Sequence, residues 1–385
     1  VNPHFDKILT FIRAEFKQPE NFIPLHEPRF FGNEKKYLNE CIDSTFVSSV
    51  GKFVDEFEKK LASYTGAKYA VAVVNGTAAL HIALKVAGVN ENDLVITQPL
   101  SFIATCNAIS YLNAQPLFVD IDLDTLSLSP NQLKLFLKNN TQINAKGECV
   151  HIKTQKRIAA CVPMHTFGLP GRVDELLEIC NEYNIKMIED AAESIGSFYK
   201  NKHTGTYGLI GTFSFNGNKT ITCGGGGAIV TDDEQIARVI KHLTTQAKVP
   251  HAWEFIHNAI AYNYRMPNIN AALACAQLEQ LNYFIDKKRQ LADKYKSFFK
   301  ELNIQFCEEI NEAKSNYWLN AILLKDKEER DAFLNYANKN GVMTRPAWEL
   351  MPNLEMFRNC IKDELSNSIF IADRLVNLPS SVILN

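Results

Sequence analysis

Lys219 is the residue best placed for nucleophilic chemistry. It stands in the stretch Gly211 to Thr231, GTFSFNGNKTITCGGGGAIVT, between two β-like pieces, Thr212-Phe213-Ser214-Phe215 and Ala228-Ile229-Val230-Thr231. Four consecutive glycines, Gly224 to Gly227, follow it. A glycine run lets the backbone turn, or approach another backbone or a ligand, more closely than any side chain would tolerate. Upstream, Ile185-Lys186-Met187-Ile188 reads as a short buried strand with Glu189-Asp190-Ala191-Ala192-Glu193-Ser194 at its C-terminal end. In open α/β sheets, ligands gather at that edge.

The glycine-rich stretch is not a phosphate-binding P-loop, because Gly217-Asn218-Lys219-Thr220 has one residue too many between glycine and lysine. Nor is it a dinucleotide fingerprint, since the glycines lead into an apolar, β-branched run and not into a helix. A solvated loop lysine beside a tight turn is the plain alternative. With an acid at a neighbouring strand end, however, the lysine forms the pair that pyridoxal phosphate chemistry requires. The lysine makes the Schiff base and the carboxylate keeps the pyridine nitrogen protonated.

These residues stand in an ordered set. It comprises Ser48-Ser49-Val50-Gly51 with Glu56-Phe57-Glu58, Asn75-Gly76-Thr77-Ala78-Ala79-Leu80, Phe102-Ile103-Ala104-Thr105, Glu189-Asp190-Ala191-Ala192, Ser214-Phe215 with Lys219, and Tyr262-Asn263-Tyr264-Arg265. From about Phe22 to the C-terminus the sequence resembles the DegT/DnrJ/EryC1/StrS sugar aminotransferases, pyridoxal-phosphate enzymes of fold type I. The resemblance implies Lys219 as the cofactor lysine and Asp190 as the pyridine partner. It also implies Gly76, Thr77, Ala78 and Ser214 as phosphate holders and Phe102 as the ring stacked on the cofactor. Asn263 would reach the phosphate of a neighbouring subunit, so the sites would be shared in a homodimer.

His165, in His165-Thr166-Phe167-Gly168, occupies a family position beside the cofactor and is a candidate catalytic residue; a hydrogen-bonded structural histidine is the alternative. The Ser48-Ser49 region lies near substrate in the family, or is a polar turn between helices. Two positions depart from the commoner pattern. Gly225 stands where many relatives carry glutamate, and Glu193, a candidate cofactor contact, stands where many carry glutamine or histidine; both variants resemble those of perosamine-type and of legionaminate- or bacillosamine-pathway relatives. Pro24 to Phe31, Gly224 to Gly227 and Thr344 to Trp348 resemble the branch that makes 4-amino precursors of legionaminate- or bacillosamine-like sugars.

The implied reaction moves an amino group from glutamate to a nucleotide-linked 4-keto-6-deoxy sugar, in surface-polysaccharide or glycan precursor synthesis. A free keto-sugar acid of the octulosonate type is the alternative acceptor, and Arg345 could then pair with its carboxylate. A sugar dehydratase of this family would replace the lysine with histidine, and Lys219 is present. A non-catalytic protein of the same fold would be expected to have lost Lys219, Asp190 or the phosphate turn.

Composition agrees with an enzyme of small molecules. The chain has 385 residues, 46% of them hydrophobic, and a formal net charge of -2, which argues against a nucleic-acid or anionic-membrane surface. No apolar run of about 18 residues is present, and the N-terminal stretch lacks a signal-peptide core, so a cytoplasmic protein is expected. Nine cysteines without a CxxC pair read as reduced thiols. Cys149, His151 and Cys161 offer no fourth ligand, and no metal is expected.

The elements that must position these residues can be read in turn. Residues 1–21 have the apolar spacing of a short amphipathic helix. Tyr69 to Val74, a small-residue turn and a helix from Ala78 to Val86 place free N–H groups at a strand end, an anion site. Short strands and helices alternate from residue 69 to 231, which predicts an α/β fold with a mostly parallel central sheet covered by helices. Pro99 to Thr105 is expected to be a loop, and Asn268 to Phe299 a long helix. Residues 1–245 are assigned to a large cofactor-binding domain that includes the N-terminal helix, and 246–385 to a smaller C-terminal α+β domain.

Overall fold

The computed structural model describes residues 3–48 and 50–384; Ser49 of the Ser48-Ser49 motif lies outside the described residues. A seven-stranded sheet runs in the order Tyr69–Val73, Gly227–Thr231, Ile210–Ser214, Lys186–Asp190, Ile158–Val162, Leu94–Thr97, Gln115–Phe118. Only Gly227–Thr231 runs against its two neighbours; every other pairing is parallel. The central strands are buried along their length because helices cover both faces, which is why they read as apolar runs without alternation. Asn75, Ser129, Asp233 and Asp326 cap the helices that follow them, each accepting a backbone N–H from the first turn.

This order sends the C-terminal ends of the six like-directed strands to one edge. Lys186–Asp190 delivers Asp190 there, Ile210–Ser214 delivers Ser214, and Tyr69–Val73 leads into the Asn75-Gly76-Thr77 turn. The predicted loop Pro99 to Thr105 is shorter than expected: residues 99–102 are loop, and Ile103 begins the helix Ile103–Ser110, with Phe102 at its N-cap. Its composition, Ile-Ala-Thr-Cys-Asn-Ala-Ile-Ser, carries no charged residue, and half of the helix, Thr105, Cys106, Ala108 and Ile109, is buried.

The C-terminal portion forms a four-stranded antiparallel sheet in the order Gln305–Phe306, Asn320–Leu323, Leu375–Leu378, Arg345–Pro346. Its core also takes in Phe5, Ile8, Leu9 and Ile12 of the N-terminal helix Pro3–Phe16. That helix therefore packs with the C-terminal portion and not with the large sheet, where the sequence division put it. The Asn268–Glu301 helix, 34 residues and so about 50 Å long, serves both cores. Ala271, Cys275, Leu281 and Phe284 pack with the large sheet, whereas Leu291, Tyr295 and Phe299 pack with the small one. Among the described residues no helix is long and apolar enough to cross a membrane, no acidic, histidine or cysteine cluster could hold a metal ion, and all nine cysteines are buried free thiols.

Candidate active site

Lys219 sits in the loop that joins the Ile210–Ser214 and Gly227–Thr231 strands, its neck closed by Phe215 N–H to Gly226 O (2.8 Å) and Cys223 N–H to Phe215 O (3.0 Å). The side chain is 11% exposed, with Nζ 3.3 Å from Glu193 Oε1 and 4.0 Å from the centroid of the Trp318 ring. Trp318 Nε1 donates to the carbonyl of Asn218 at 2.7 Å, so the tryptophan braces the loop as well as facing its amine. The other oxygen of Glu193 accepts the Phe167 N–H at 2.9 Å. Burial outweighs the attraction of Lys219 and pushes the Glu193 carboxyl up to about 7.

Asp190 is buried at the end of its strand. Thr105 Oγ1 donates to Oδ2 at 2.7 Å and the Ala192 N–H donates to Oδ1 at 3.1 Å. No cationic side chain among the described residues forms an ion pair with it. Burial raises its pKa against the opposing pull of Thr105, Ala192 and the Lys219 charge.

His165 is also buried, but its ring is turned to Glu189. Nε2 lies 3.0 Å from Glu189 Oε2, and Nδ1 accepts the Gly171 N–H at 3.2 Å. Both ring nitrogens are thus engaged with the protein, the hydrogen-bonded arrangement that was the alternative to a catalytic role. Its backbone N–H donates to the Asp190 carbonyl at 3.2 Å, so it remains beside the acid. Burial alone would raise the Glu189 carboxyl, yet His165 and the N–H groups of Gly208 and Gly205 hold it below its usual range. Glu189 thereby fastens the 205–208 loop.

The Asn75-Gly76-Thr77 turn lies against the glycine-rich strand. A Cβ on Gly227 would stand 2.4 Å from the Asn75 carbonyl carbon, and one on Gly76 would stand 2.9 Å from Ser214 Cβ. Glycine at both places lets the helix start close on Ser214. The Ala78 N–H, one of the expected phosphate holders, donates to Asn75 Oδ1 at 2.8 Å. The N–H groups of Gly76 and Thr77 have no acceptor among the described residues, as the first donors of a helix must.

Phe102 is 47% exposed, its ring 6.1 Å from that of Trp348, which in turn lies 5.0 Å from Phe167. Asn263 is not brought to this group. It is exposed at the outer edge of the large sheet, bridged to Thr245, next to Tyr264 whose carbonyl accepts the Val74 N–H at 2.9 Å. Thr105 and Trp318 are the site residues that the sequence did not single out. Thr105 was within a quoted motif, whereas Trp318 arrives from about 100 residues downstream with no local signal.

Residues 30–385 match the model of the DegT/DnrJ/EryC1/StrS aminotransferase family. A GDP-perosamine synthase of Escherichia coli O157:H7 is 39% identical over 336 residues, 87% of each chain. EpsN of Bacillus subtilis, described as a putative pyridoxal phosphate-dependent aminotransferase, is 35% identical over 87% of this chain and 84% of its own. The aminotransferase TlmJ of Streptoalloteichus hindustanus superposes with a TM-score of 0.85 over 95% of each chain at 22% identity, a likeness of fold. A second GDP-perosamine synthase, of Vibrio cholerae, is 36% identical over 93% of this chain and 94% of its own, so these relatives support a perosamine-type branch and not the legionaminate or bacillosamine branch expected from the sequence.

Proposed function

The chain belongs to the DegT/DnrJ/EryC1/StrS family and is a pyridoxal-phosphate-dependent sugar aminotransferase; from that premise we propose that it moves the amino group of glutamate to the carbonyl carbon of a GDP-linked 4-keto-6-deoxy sugar. The observation that carries the reading is the buried Asp190 carboxylate, without a cationic partner, at the same sheet edge as the Lys219 amine. A protonated pyridine nitrogen is the partner such an acid lacks.

The residues fit the cofactor. Asp190 would hold the proton on the ring nitrogen, kept in place by Thr105 and Ala192. The N–H groups of Gly76 and Thr77, with Ser214, would hold the phosphate at a helix start. Phe102 would cover a ring face and Lys219 would carry the covalent link. Bound there, pyridoxal phosphate supplies the group that receives the amine and the electron sink that stabilises charge at the donor's Cα.

The protein's own part is proton handling. Lys219 Nζ accepts the proton that leaves the donor's Cα and returns one on the way to product. Glu193 Oε1, next to Nζ and pushed up to about 7, can share that proton near neutral pH. His165 acts as a positioning group, holding Glu189 and the strand end that carries Asp190. Asn263 completes the phosphate site of a second copy of the chain. Exposed Phe46, Val47, Val50, Trp253, Phe255 and Ile260 are large apolar groups of the kind that a second copy would cover.

The test is to supply glutamate with GDP-, UDP- and dTDP-linked 4-keto sugars and a free keto-sugar acid, following 2-oxoglutarate. Turnover with the GDP-linked sugar is expected. Turnover of the free acid alone would remove the nucleotide-sugar reading while leaving an aminotransferase.

A further inference from the structure

A cavity of about 460 Å³ opens beside Lys219, within the range of small-ligand sites. Asn218 and Trp318 line one side of it, and Trp318 is the ring that faces the Lys219 amine. Phe167 and Trp348 line another, and Trp348 continues to Phe102. Lys219 and Phe102 do not line the cavity themselves; each lies one ring away from it, behind Trp318 and Trp348 respectively.

Two polar side chains that line this cavity, half-buried His26 and buried Asn377, carry buried polar atoms without a hydrogen-bond partner. Neither ring nitrogen of His26 has a partner of normal hydrogen-bond geometry among the described residues, although the Asn218 carbonyl lies on that side. Asn377 is 3% exposed, and its Oδ1 is likewise unpartnered. Buried donors and acceptors are paired in nearly all folded proteins, because leaving one unmade costs stability. Two exceptions in one cavity lining, which also holds the Trp318 ring that faces the reactive amine, are what a polar ligand would complete.

We propose that His26 and Asn377 are specificity-determining residues that receive the hydroxyl groups of the acceptor sugar, with Arg345 at the cavity wall for the anionic group to which that sugar is linked. This rests on the acceptor reading above. Burial, together with the charges of Lys288, Arg29 and Lys219, keeps the His26 imidazole uncharged. A neutral imidazole offers one donor and one acceptor, which suits a hydroxyl. Asn377 adds an amide acceptor, and the indole and phenyl walls suit the C–H face of a sugar ring. Arg345 is exposed and held through Nη1 alone, by Asn338 Oδ1 (3.1 Å) and the Thr344 carbonyl (2.9 Å), so the rest of its guanidinium fork remains available. A dicarboxylate donor such as glutamate would call for two cations, and this cavity lining has one.

The N-terminal segment sets this arrangement. The Ile23 N–H donates to Gly341 O at 2.8 Å and the Met343 N–H to Ile23 O at 2.9 Å, so the strand that leads to Arg345 also carries the segment that leads to His26. Arg13 ties both ends, donating to the carbonyls of Gln18, Asn21 and Asn340.

The experiment separates the two half-reactions of the cofactor-loaded enzyme. His26→Ala and Asn377→Leu should convert cofactor with glutamate alone, followed by visible absorption, within about twofold of the wild type. With the GDP-linked keto sugar, KM should rise about tenfold or more, the scale of one lost buried hydrogen bond. Asn377→Leu should melt no lower than the wild type, because the orphaned oxygen is gone. A donor half-reaction impaired as much as the acceptor half-reaction, or an unchanged acceptor KM, overturns the proposal. Calorimetric titration with GDP-mannose makes the result independent of turnover. Binding by the wild type that weakens about tenfold in both variants supports the assignment even if no keto sugar is aminated, an outcome that removes only the reaction reading. Equal binding by all three proteins, or none by the wild type, overturns it.

Discussion

The amine of Lys219 lies 3.3 Å from the carboxylate of Glu193, and both are enclosed between the Phe167 backbone and the Trp318 ring. Burial at this spot outweighs the attraction of the amine and raises the Glu193 carboxyl.

The pair gives a pH-dependent stability for the protein without cofactor. The Glu193 carboxyl moves from an ordinary 4.5 to about 7 on folding, so the folded state binds the extra proton between those values. Stability from this group is present below about 4.5 and is lost as pH rises through about 7. Glu193→Gln should therefore gain on the wild type by about 1–3 kcal/mol between pH 5 and 8.5. Urea melts at the two pH values measure this, and a constant difference between the proteins would show that Glu193 does not titrate there.

Lys219→Ala should lose turnover by at least about 10⁴-fold, because covalent attachment and proton transfer go together. Borohydride reduction of the loaded wild type should fix the cofactor mass on the peptide containing Lys219, and on none in the variant. Asp190→Asn should still take up cofactor yet lose most of its rate. Wild-type rates in that variant would take Asp190 out of the mechanism.

Gly76→Ala drives a methyl group to 2.9 Å from Ser214 Cβ, so the turn must lift from the strand end. Cofactor affinity should fall by about tenfold or more, and stability by about 1–3 kcal/mol. Asn75→Ala removes only the cap on Ala78 and should cost about 1 kcal/mol. Fluorescence titration with pyridoxal phosphate separates the two. Equal affinities in Gly76→Ala and the wild type would exclude the turn as the phosphate site.

Asn263 can be tested by mixing. Lys219→Ala and Asn263→Ala proteins, each first shown to be inactive, should regain activity on subunit exchange, since one site of a mixed dimer has both residues intact. No recovery despite proven exchange would place Asn263 outside the shared site.

Much of this could be read from the chain because the relevant signals are local. The Leu94–Thr97 strand, the Asp190 strand end and the Asn75 turn are each written in a few adjacent residues. Trp318, His26 and Asn377 were not legible as neighbours of Lys219, since nothing near any of them in sequence reports the other cavity wall. His165 was found but its orientation was not, because that depends on Glu189, whose oxygens are directed by the 205–208 backbone. The N-terminal helix was read correctly as amphipathic. Its partner, the core around Phe333 and Tyr295, lies more than 250 residues away, and periodicity names a buried face without naming what buries it.

The 34-residue helix from Asn268 to Glu301 has a mechanical consequence. Two halves joined by a loop can swing like a door, but here one rigid rod is anchored in both, and swinging would shear Phe284 from one packing layer or Tyr295 from the other. Lys288, buried midway and bonded to the carbonyls of Trp318 and Ser380, pins the rod where a bend would be least costly. Traffic into the cavity must then be carried by the chain segments around its rim, so the opening rate should follow loop composition and be insensitive to the stiffness of the frame.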